Sequence, residues 1–518
     1  MFTKLLLDSD FDAILNLIND AAAAVACENK LFSNGWKETC LTFAELKEDD
    51  VQFYGLKDDG FLVAVIGIKT VNEVTLIRHM YVSANYQRKG YGGQLLRYLL
   101  SSVVGSSSTV LVCVWTAAFW FVNFYVKHGF EEVLSEEKNR LIYAYWKILF
   151  GSQVEFLTVL KVQNSVFKTV TLKIDAANPD VENVRVAAKV IQNGGLVAFP
   201  TETVYGLGVD ALNSEAVLAL FKTKNRPLDN PPILHISDVS QVYKLAKEVP
   251  KTAEVLMKHF WPGPLTLILK CSEAIPKETT AGLSTVAVRM PNNTIALSLI
   301  KQSNTPIAAP SANLSGKPSP TTAQHVYDDL NGKIDVILDG GQTSIGVEST
   351  VLDLSVNPPV LLRPGGTPLE AIQTVLPDVV LHPFVSSEHE VTVKYARSPG
   401  MMHKHYAPNA EVFLVDGSIP SMIAKINVLS EQYHRCEGKK VGILATDETK
   451  KEYSAYIVKS MGSRSNLDII ASNLFKVLRE FDNTSVDVIL AESVPLYGMG
   501  LAVMNRLRKA SGYHIIKT

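Results

Sequence analysis

Three cations stand within one short segment, Lys222, Lys224 and Arg226 of FKTKNRPLDNPPILHI, at the end of a helical run and the start of a loop. Cations at that density form a local trap for phosphates, although a solvated helix end would use the same residues. Upstream, FPTETVYGLG sets the hydroxyls of Thr201, Thr203 and Tyr205 just past the buried-strand run LVAF, among glycines that let backbone approach a ligand. Asn230 and His235 follow the cations on the loop and the next strand, where a lone His also serves as a satisfied core residue. VAVRMP puts Arg289 on an apolar strand, where a charge is costly unless paired. A bound carboxylate would pair it, and so would a structural Asp or Glu. The small-residue loop PIAAPSANLSGKPSPTTAQHV offers N–H and hydroxyl donors around Ser311, Asn313, Ser315 and Ser319, as an anion cradle or an ordinary Pro/Ser turn. GVEST and LLRPGG add Ser349 and Arg363 at strand ends. No Ser-His-Asp or Cys-His pair is evident, so the chemistry these residues suit is orientation plus stabilisation of phosphoryl charge, without a covalent nucleophile.

A second constellation lies nearer the N-terminus. RHMYV is followed by QRKGYGG, residues Gln87, Arg88, Lys89, Gly90, Tyr91, Gly92 and Gly93, and that loop opens a helix. Consecutive N–H groups and a positive dipole end then face one point, which suits a pyrophosphate.

Elements must position these groups. VQFYGL, FLVAVIGIKT and VTLIRHMYV read as strands, the last two joined at Asn72-Glu73; QLLRYLLSSVV and AAFWFVNFYVKH read as helices around the strand VLVCVW. This α+β unit is expected over 1–148, with 149–170 a connection of no strong period. Next comes the helix VENVRVAAKVIQNG, stopped by Gly194-Gly195, and mixed strands and helices that run to about 385. The Pro- and His-bearing stretch 386–410 reads as an interdomain segment, and its SPGMMHKHYAP as a lid. In 411–518 strands and helices alternate, with Leu467, Ile470, Ala471, Leu474, Leu478 and Phe481 forming one stripe, which implies a small parallel α/β sheet.

Composition bounds the reading. A chain of 518 residues, 47% hydrophobic and 20% charged, is ordinary globular protein in several domains. A net charge of −2 carries no global field for nucleic acid or an anionic membrane. The five cysteines are scattered, with no C-x-x-C pair, which excludes an obvious zinc or disulfide framework and fits a reducing compartment. No run approaches a membrane span and the first residues resemble no signal, so no membrane association and a cytoplasmic location are expected.

The ordered series PTETVYGLG, KxKxRPxxNP, WPGPLT, VAVRMP, PSANLSGKPSPT, GVEST and LLRPGG resembles the YrdC-like threonylcarbamoyl-AMP synthases. The later SPGMMHKHYAP and terminal NRLRKA resemble the long form of that family, which has a C-terminal domain. The resemblance covers 170–518. It implies L-threonine, bicarbonate and ATP as substrates, with Mg²⁺ accompanying ATP and threonylcarbamoyl-AMP as product. By the match, Thr203, His235, Arg289, the backbone at Ala309 and Ser349 hold threonine. Arg226, Asn230, Thr285, Ser311, Ser319 and Arg363 hold ATP, with Lys222, Lys224 and Asn313 beside them. His405 or Tyr406 would reach over the nucleotide. Lys224, Arg226 and Arg289 would then be the catalytic cations. A partner tRNA threonylcarbamoyl transferase would consume the product, with direct tRNA contact left open.

RHMYV with QRKGYGG and FYVKHGFEEV resembles the GNAT acetyltransferases. That implies acetyl-CoA held by the backbone of Met80 and Val82 and by loop 87–93, with Tyr125 as general acid and Glu73 a candidate base. The resemblances together imply an α/β and α+β multidomain chain: a GNAT-like α+β domain, a YrdC-like domain with a twisted mixed sheet over 171–385, and a Rossmann-like C-terminal domain. Two other readings compete. An RNA-binding module with a degenerate catalytic site would use a cationic hollow, but lacks basic residues interleaved with stacking aromatics. An acetyltransferase with the remainder as scaffold leaves seven motifs unexplained.

Overall fold

A computed structural model describes residues 3–6, 10–28, 50–58, 60–72, 74–104, 109–116, 118–146, 154–163, 169–389 and 406–518. Its contacts divide the chain into two compact units, Met1–Lys168 and Thr169–Thr518.

The first unit is built on a seven-stranded sheet in the order Thr3–Leu5, Gln52–Asp58, Phe61–Val71, Val74–Val82, Thr109–Trp115, Leu157–Gln163, Glu131–Glu132. Asn72, at φ 54°, makes the tight reversal between the third and fourth strands. The Val74–Val82 strand bulges opposite Gly67/Ile68, and its parallel pairing with Thr109–Trp115 stops at Ile77↔Val112. Beyond that point the two strands diverge, and among the described residues no strand covers the inner edge from Arg78 to Val82. Helix α1, Tyr91–Tyr98, begins on Gly90 at φ 92°, and helix α2, Phe119–Lys127, buries Tyr125. The Leu157–Gln163 strand corrects the expected linker at 149–170. It pairs along the whole of Thr109–Trp115, and Leu157, Val159 and Leu160 are buried in the sheet core. The signal for it, LTVLKVQ, was an apolar run broken by Thr158, Lys161 and Gln163.

The second unit has an eleven-stranded mixed sheet and a five-stranded sheet. At the centre of the larger one, Leu234–His235 lies parallel to Thr285–Arg289 and antiparallel to Ile307–Ala308. His235 therefore sits opposite Arg289 on one side and Ile307 on the other. Helix α3, Ser214–Lys224, starts on an Asn213 cap and ends at Asn225 in the left-handed region, delivering its cations to the sheet's edge. The smaller sheet runs Ile457–Ser460, Val441–Ala445, Val488–Glu492, Glu411–Asp416, Ile515–Lys517, with every pairing parallel. Helices α4, Leu467–Asp482, and α5, Gly500–Ala510, pack on it. The expected stripe on α4 is buried, in an apolar cluster that also takes in Val204 and Val347 of the larger sheet's loops. The two sheets of this unit thus share a core. No helix among the described residues is long and apolar enough to cross a membrane.

Candidate active site

A pocket opens at the ends of the central strands of the larger sheet, lined by convergent polar and cationic side chains. Its lining includes Thr203, Lys224, Arg226, His235, Arg289 and Ala309. Ser311, Asn313, Ser349, Arg363 and Tyr406 also line it, together with Glu348.

One corner is organised by Arg289. Its Nη1 donates to Thr203 Oγ1 at 2.9 Å and its Nε to the Gly263 carbonyl of WPGPLT at 3.2 Å. Thr203 in turn shares a 2.7 Å hydroxyl contact with Thr201. Nη2 lies 2.7 Å from Glu202 Oε2, so the charge is paired internally, 4% and 7% exposed. That contact lacks hydrogen-bond alignment: Nη2 and both Glu202 oxygens have no hydrogen-bond partner. The Arg289 guanidinium is thus held on three sides, by Thr203, Gly263 and Glu202, with its charge at the pocket lining. His235 adjoins it, and burial, reinforced by the charge of Arg289, pushes its pKa down to about 3. The imidazole is therefore neutral and donates from Nδ1 to the Ile233 carbonyl at 3.1 Å. Ala309 N–H is taken by the Ile233 carbonyl, which leaves the Ala309 carbonyl to serve a ligand.

The opposite wall carries Arg363 and Arg226. Arg363 donates from Nε to the Ser349 carbonyl at 3.1 Å and from Nη2 to Ser349 Oγ at 3.2 Å, while Ser349 Oγ also meets Thr266 Oγ1 at 2.8 Å. Arg226 donates from Nε to the Asn230 carbonyl at 3.0 Å. Removal from water, and then the charge of Arg363, pulls Arg226 down to about 10, so both guanidiniums stay charged near neutrality. Tyr406 lies on this wall at φ 66°, stacked on Phe475 of α4 with centroids 5.2 Å apart. Glu348 stands between, its Oε1 accepting from Ser319 at 2.6 Å and its Oε2 from Arg506 at 2.9 Å. Burial alone would raise its pKa, but Arg506 and Arg363 hold it at about 2.

Several expected residues take other places. Lys224 is 2% exposed and its ammonium is engaged by the carbonyls of Ser311 (2.5 Å) and Asn313. Burial, then the charge of Arg226, drives its pKa well down. Lys224 holds the 311–317 loop, a structural task that the phosphate-trap reading did not foresee. Asn313 is likewise a loop-former, its amide committed to the Leu314 and Lys317 carbonyls. Thr285 stands at the far end of its strand from Arg289, paired with Lys270 and away from the pocket. Lys222 is exposed on α3. Asn230 is buried behind Arg226, and Ser319 beneath Glu348. His405, and Glu73 of the first unit, lie outside the described residues. Sequence reasoning missed Glu202, Glu348 and Arg506. The available signal was a charge inside an otherwise apolar or hydroxylic run, PTET, GVEST and AVMNRL.

In the first unit, the uncovered edge of Met80 and Val82 faces the loop expected to hold a coenzyme. Gln87 Nε2 donates to the Val82 carbonyl at 3.2 Å, and Arg88 and Gly90 take positive φ at 62° and 92°. Gly93 allows close approach, since a Cβ there would lie 2.9 Å from His128 Nε2. Tyr125 donates its hydroxyl to Met80 Sδ at 3.2 Å, and burial raises its pKa, so it is protonated at neutral pH.

The fold and pocket define a mixed-sheet α/β protein whose pocket is lined by buried guanidiniums. Residues 189–365 match the Sua5/YciO/YrdC family model, described as "Telomere recombination". Residues 367–512 match "Threonylcarbamoyl-AMP synthase, C-terminal domain", and 49–132 match "Acetyltransferase (GNAT) domain". The threonylcarbamoyl-AMP synthase of Pyrococcus abyssi is 56% identical over 334 residues, covering 64% of this chain and 95% of that protein. That of Bacillus subtilis is 48% identical over 352 residues, covering 68% and 98%. The crystal structure of P. abyssi Sua5 complexed with L-threonine superposes with a TM-score of 0.64 at 53% identity, covering 68% of this chain and 100% of that one. The chain belongs to the threonylcarbamoyl-AMP synthase family and carries a GNAT domain ahead of it.

Proposed function

We propose that the second unit joins L-threonine, bicarbonate and ATP into threonylcarbamoyl-AMP with release of pyrophosphate. The observation that carries this is contiguity. Arg363, on the wall suited to phosphate, bonds directly to Ser349, which shares the pocket with the Arg289–Thr203–His235 corner suited to an amino acid. The names of the relatives, which align over nearly their whole length, support the same substrates.

In this reading the threonine carboxylate meets the Arg289 charge at the pocket lining and its amine faces the Ala309 backbone. The amine attacks the carbon of carbon dioxide released from bicarbonate, and the net exchange of an N–H and a bicarbonate C–O bond gives a carbamate and water. A carbamate oxygen attacks the α-phosphorus of ATP in line, the bond to the β-phosphate bridging oxygen breaks, and pyrophosphate leaves. Arg226 and Arg363 stabilise the phosphoryl charge, and the neutral His235 and the hydroxyl pair Thr201–Thr203 orient the amino acid. Mg²⁺ enters with ATP on phosphate oxygens and water. Glu348, the carboxylate among the lining residues, is already engaged by Ser319 and Arg506. The product would feed a partner transferase that modifies tRNA beside the anticodon. The test is pyrophosphate release that requires threonine, bicarbonate and ATP together, and Arg226→Ala should lower kcat/KM by about 10²-fold or more. Release that ignores threonine, or an unimpaired variant, refutes the assignment.

The first unit we read as an acetyl-CoA-dependent N-acetyltransferase, supported by the GNAT match, the diverging strands and the Gln87–Gly93 loop. Tyr125 would protonate the departing thiolate. Calorimetric titration of the full chain with acetyl-CoA should give saturable heat at one site, and a flat titration removes the coenzyme role.

A further inference from the structure

The terminal helix α5 is buried on nearly every face, yet it carries Asn505, Arg506, Arg508 and Lys509 at 5%, 0%, 6% and 9% exposure. A helix buried all round is normally apolar, and buried charge persists only with partners that need it. Arg508 approaches Glu388 at 3.9 Å, at the edge of the unit. Arg506 points the other way, toward the pocket, without lining it.

Its guanidinium bridges two chain segments that the pocket depends on. Nε donates to Glu348 Oε2 at 2.9 Å, on GVEST. Nη1 donates at 2.7 Å to the carbonyl of Pro364, the residue after Arg363, and at 3.1 Å to Asn505 Oδ1. The guanidinium carbon lies 5.6 Å from the ring centre of Tyr406, another pocket wall. The two segments cross in contact: a Cβ on Gly365 would fall 2.3 Å from the Glu348 carbonyl. Arg506 thus fastens both arms of a tight crossing that presents Ser349 and Arg363.

Charge gives the arrangement a second consequence. Glu348 lines a pocket suited to a triphosphate, and besides Arg506 it interacts electrostatically with Arg363 and with Lys509. Without Arg506 the carboxylate would draw on Arg363 and repel the ligand. We infer that Arg506 of the C-terminal domain is a positioning residue for the nucleotide: it neutralises the Glu348 carboxylate that lines the pocket and fastens the crossing that presents Ser349 and Arg363. This rests on the synthase reading above, and it makes the C-terminal domain a determinant of nucleotide affinity.

The test uses the full chain, with calorimetric Kd values for ATP and for L-threonine and thermal melts as a folding control. Arg506→Gln should weaken ATP about 10-fold or more while threonine moves less than about twofold, as expected when one partner of a buried charge pair is removed. The double variant R506Q/E348Q, which buries no orphaned charge, should fold and return ATP affinity to within about threefold of wild type. If ATP and threonine weaken equally in Arg506→Gln, or the folded double variant is no better than the single, Arg506 is structural only and the inference falls. If the wild-type chain binds neither ligand, the synthase reading itself fails and takes this inference with it.

Discussion

At the scale of single residues, Arg289 performs two tasks that separate cleanly. It is paired within the protein by Glu202 at 2.7 Å, and in the proposed reading its charge also meets the ligand carboxylate. The sequence left these as alternatives, because a buried Arg announces its need for a partner without naming it. Glu202, between two threonines in PTET, is distant along the chain, and only the fold joins them. Removing Arg289 should therefore act on stability and binding at once. Arg289→Ala orphans a buried carboxylate and should cost about 3–5 kcal/mol, read as a lowered denaturation midpoint. Adding Glu202→Gln should recover most of that stability while threonine binding stays lost. Recovery of binding as well would mean that the corner does not seat the amino acid. The same scale shows how pocket-lining motif residues also hold the loop around them. Lys224 and Asn313 belong to matching motifs, yet their polar atoms are spent on holding the 311–317 loop.

Elements were legible where periodicity was long. The α4 stripe, the alternation of the C-terminal sheet and the strand–loop–helix around Gln87–Gly93 could be read because many residues repeat one period. The Leu157–Gln163 strand was missed because Thr158, Lys161 and Gln163 break the apolar run of LTVLKVQ. Thr285 was misplaced for a geometric reason: its strand extends about 3.3 Å per residue, which separates it from Arg289 by ~13 Å. Packing between elements was not legible at all. Gly346, at φ 77°, allows the GVEST loop to lie on α4, and a Cβ there would fall 2.4 Å from Ser472 Cα. Gly346→Ala should cost at least ~1–2 kcal/mol from left-handed strain alone, and the steric conflict adds to it. In scanning calorimetry the 169–518 unit should melt several degrees lower, with the first unit unmoved. An unchanged transition would show that α4 does not hold this loop.

For the whole molecule, sequence reading separated an acetyltransferase-like part from a synthase-like part because each carries its own ordered motifs. The shared core of the two sheets in the second unit, and the reach of α5 toward the pocket, could not be read: both join residues that no local pattern connects. The central claim is that one pocket seats an amino acid against the α-phosphorus of a nucleotide. The most direct measurement incubates the full chain with carbon-labelled bicarbonate, L-threonine and ATP, then identifies the labelled product by mass. The account predicts one labelled adenylate, formed in step with pyrophosphate and absent when threonine is withheld. Pyrophosphate or AMP released without label in an adenylate would contradict it.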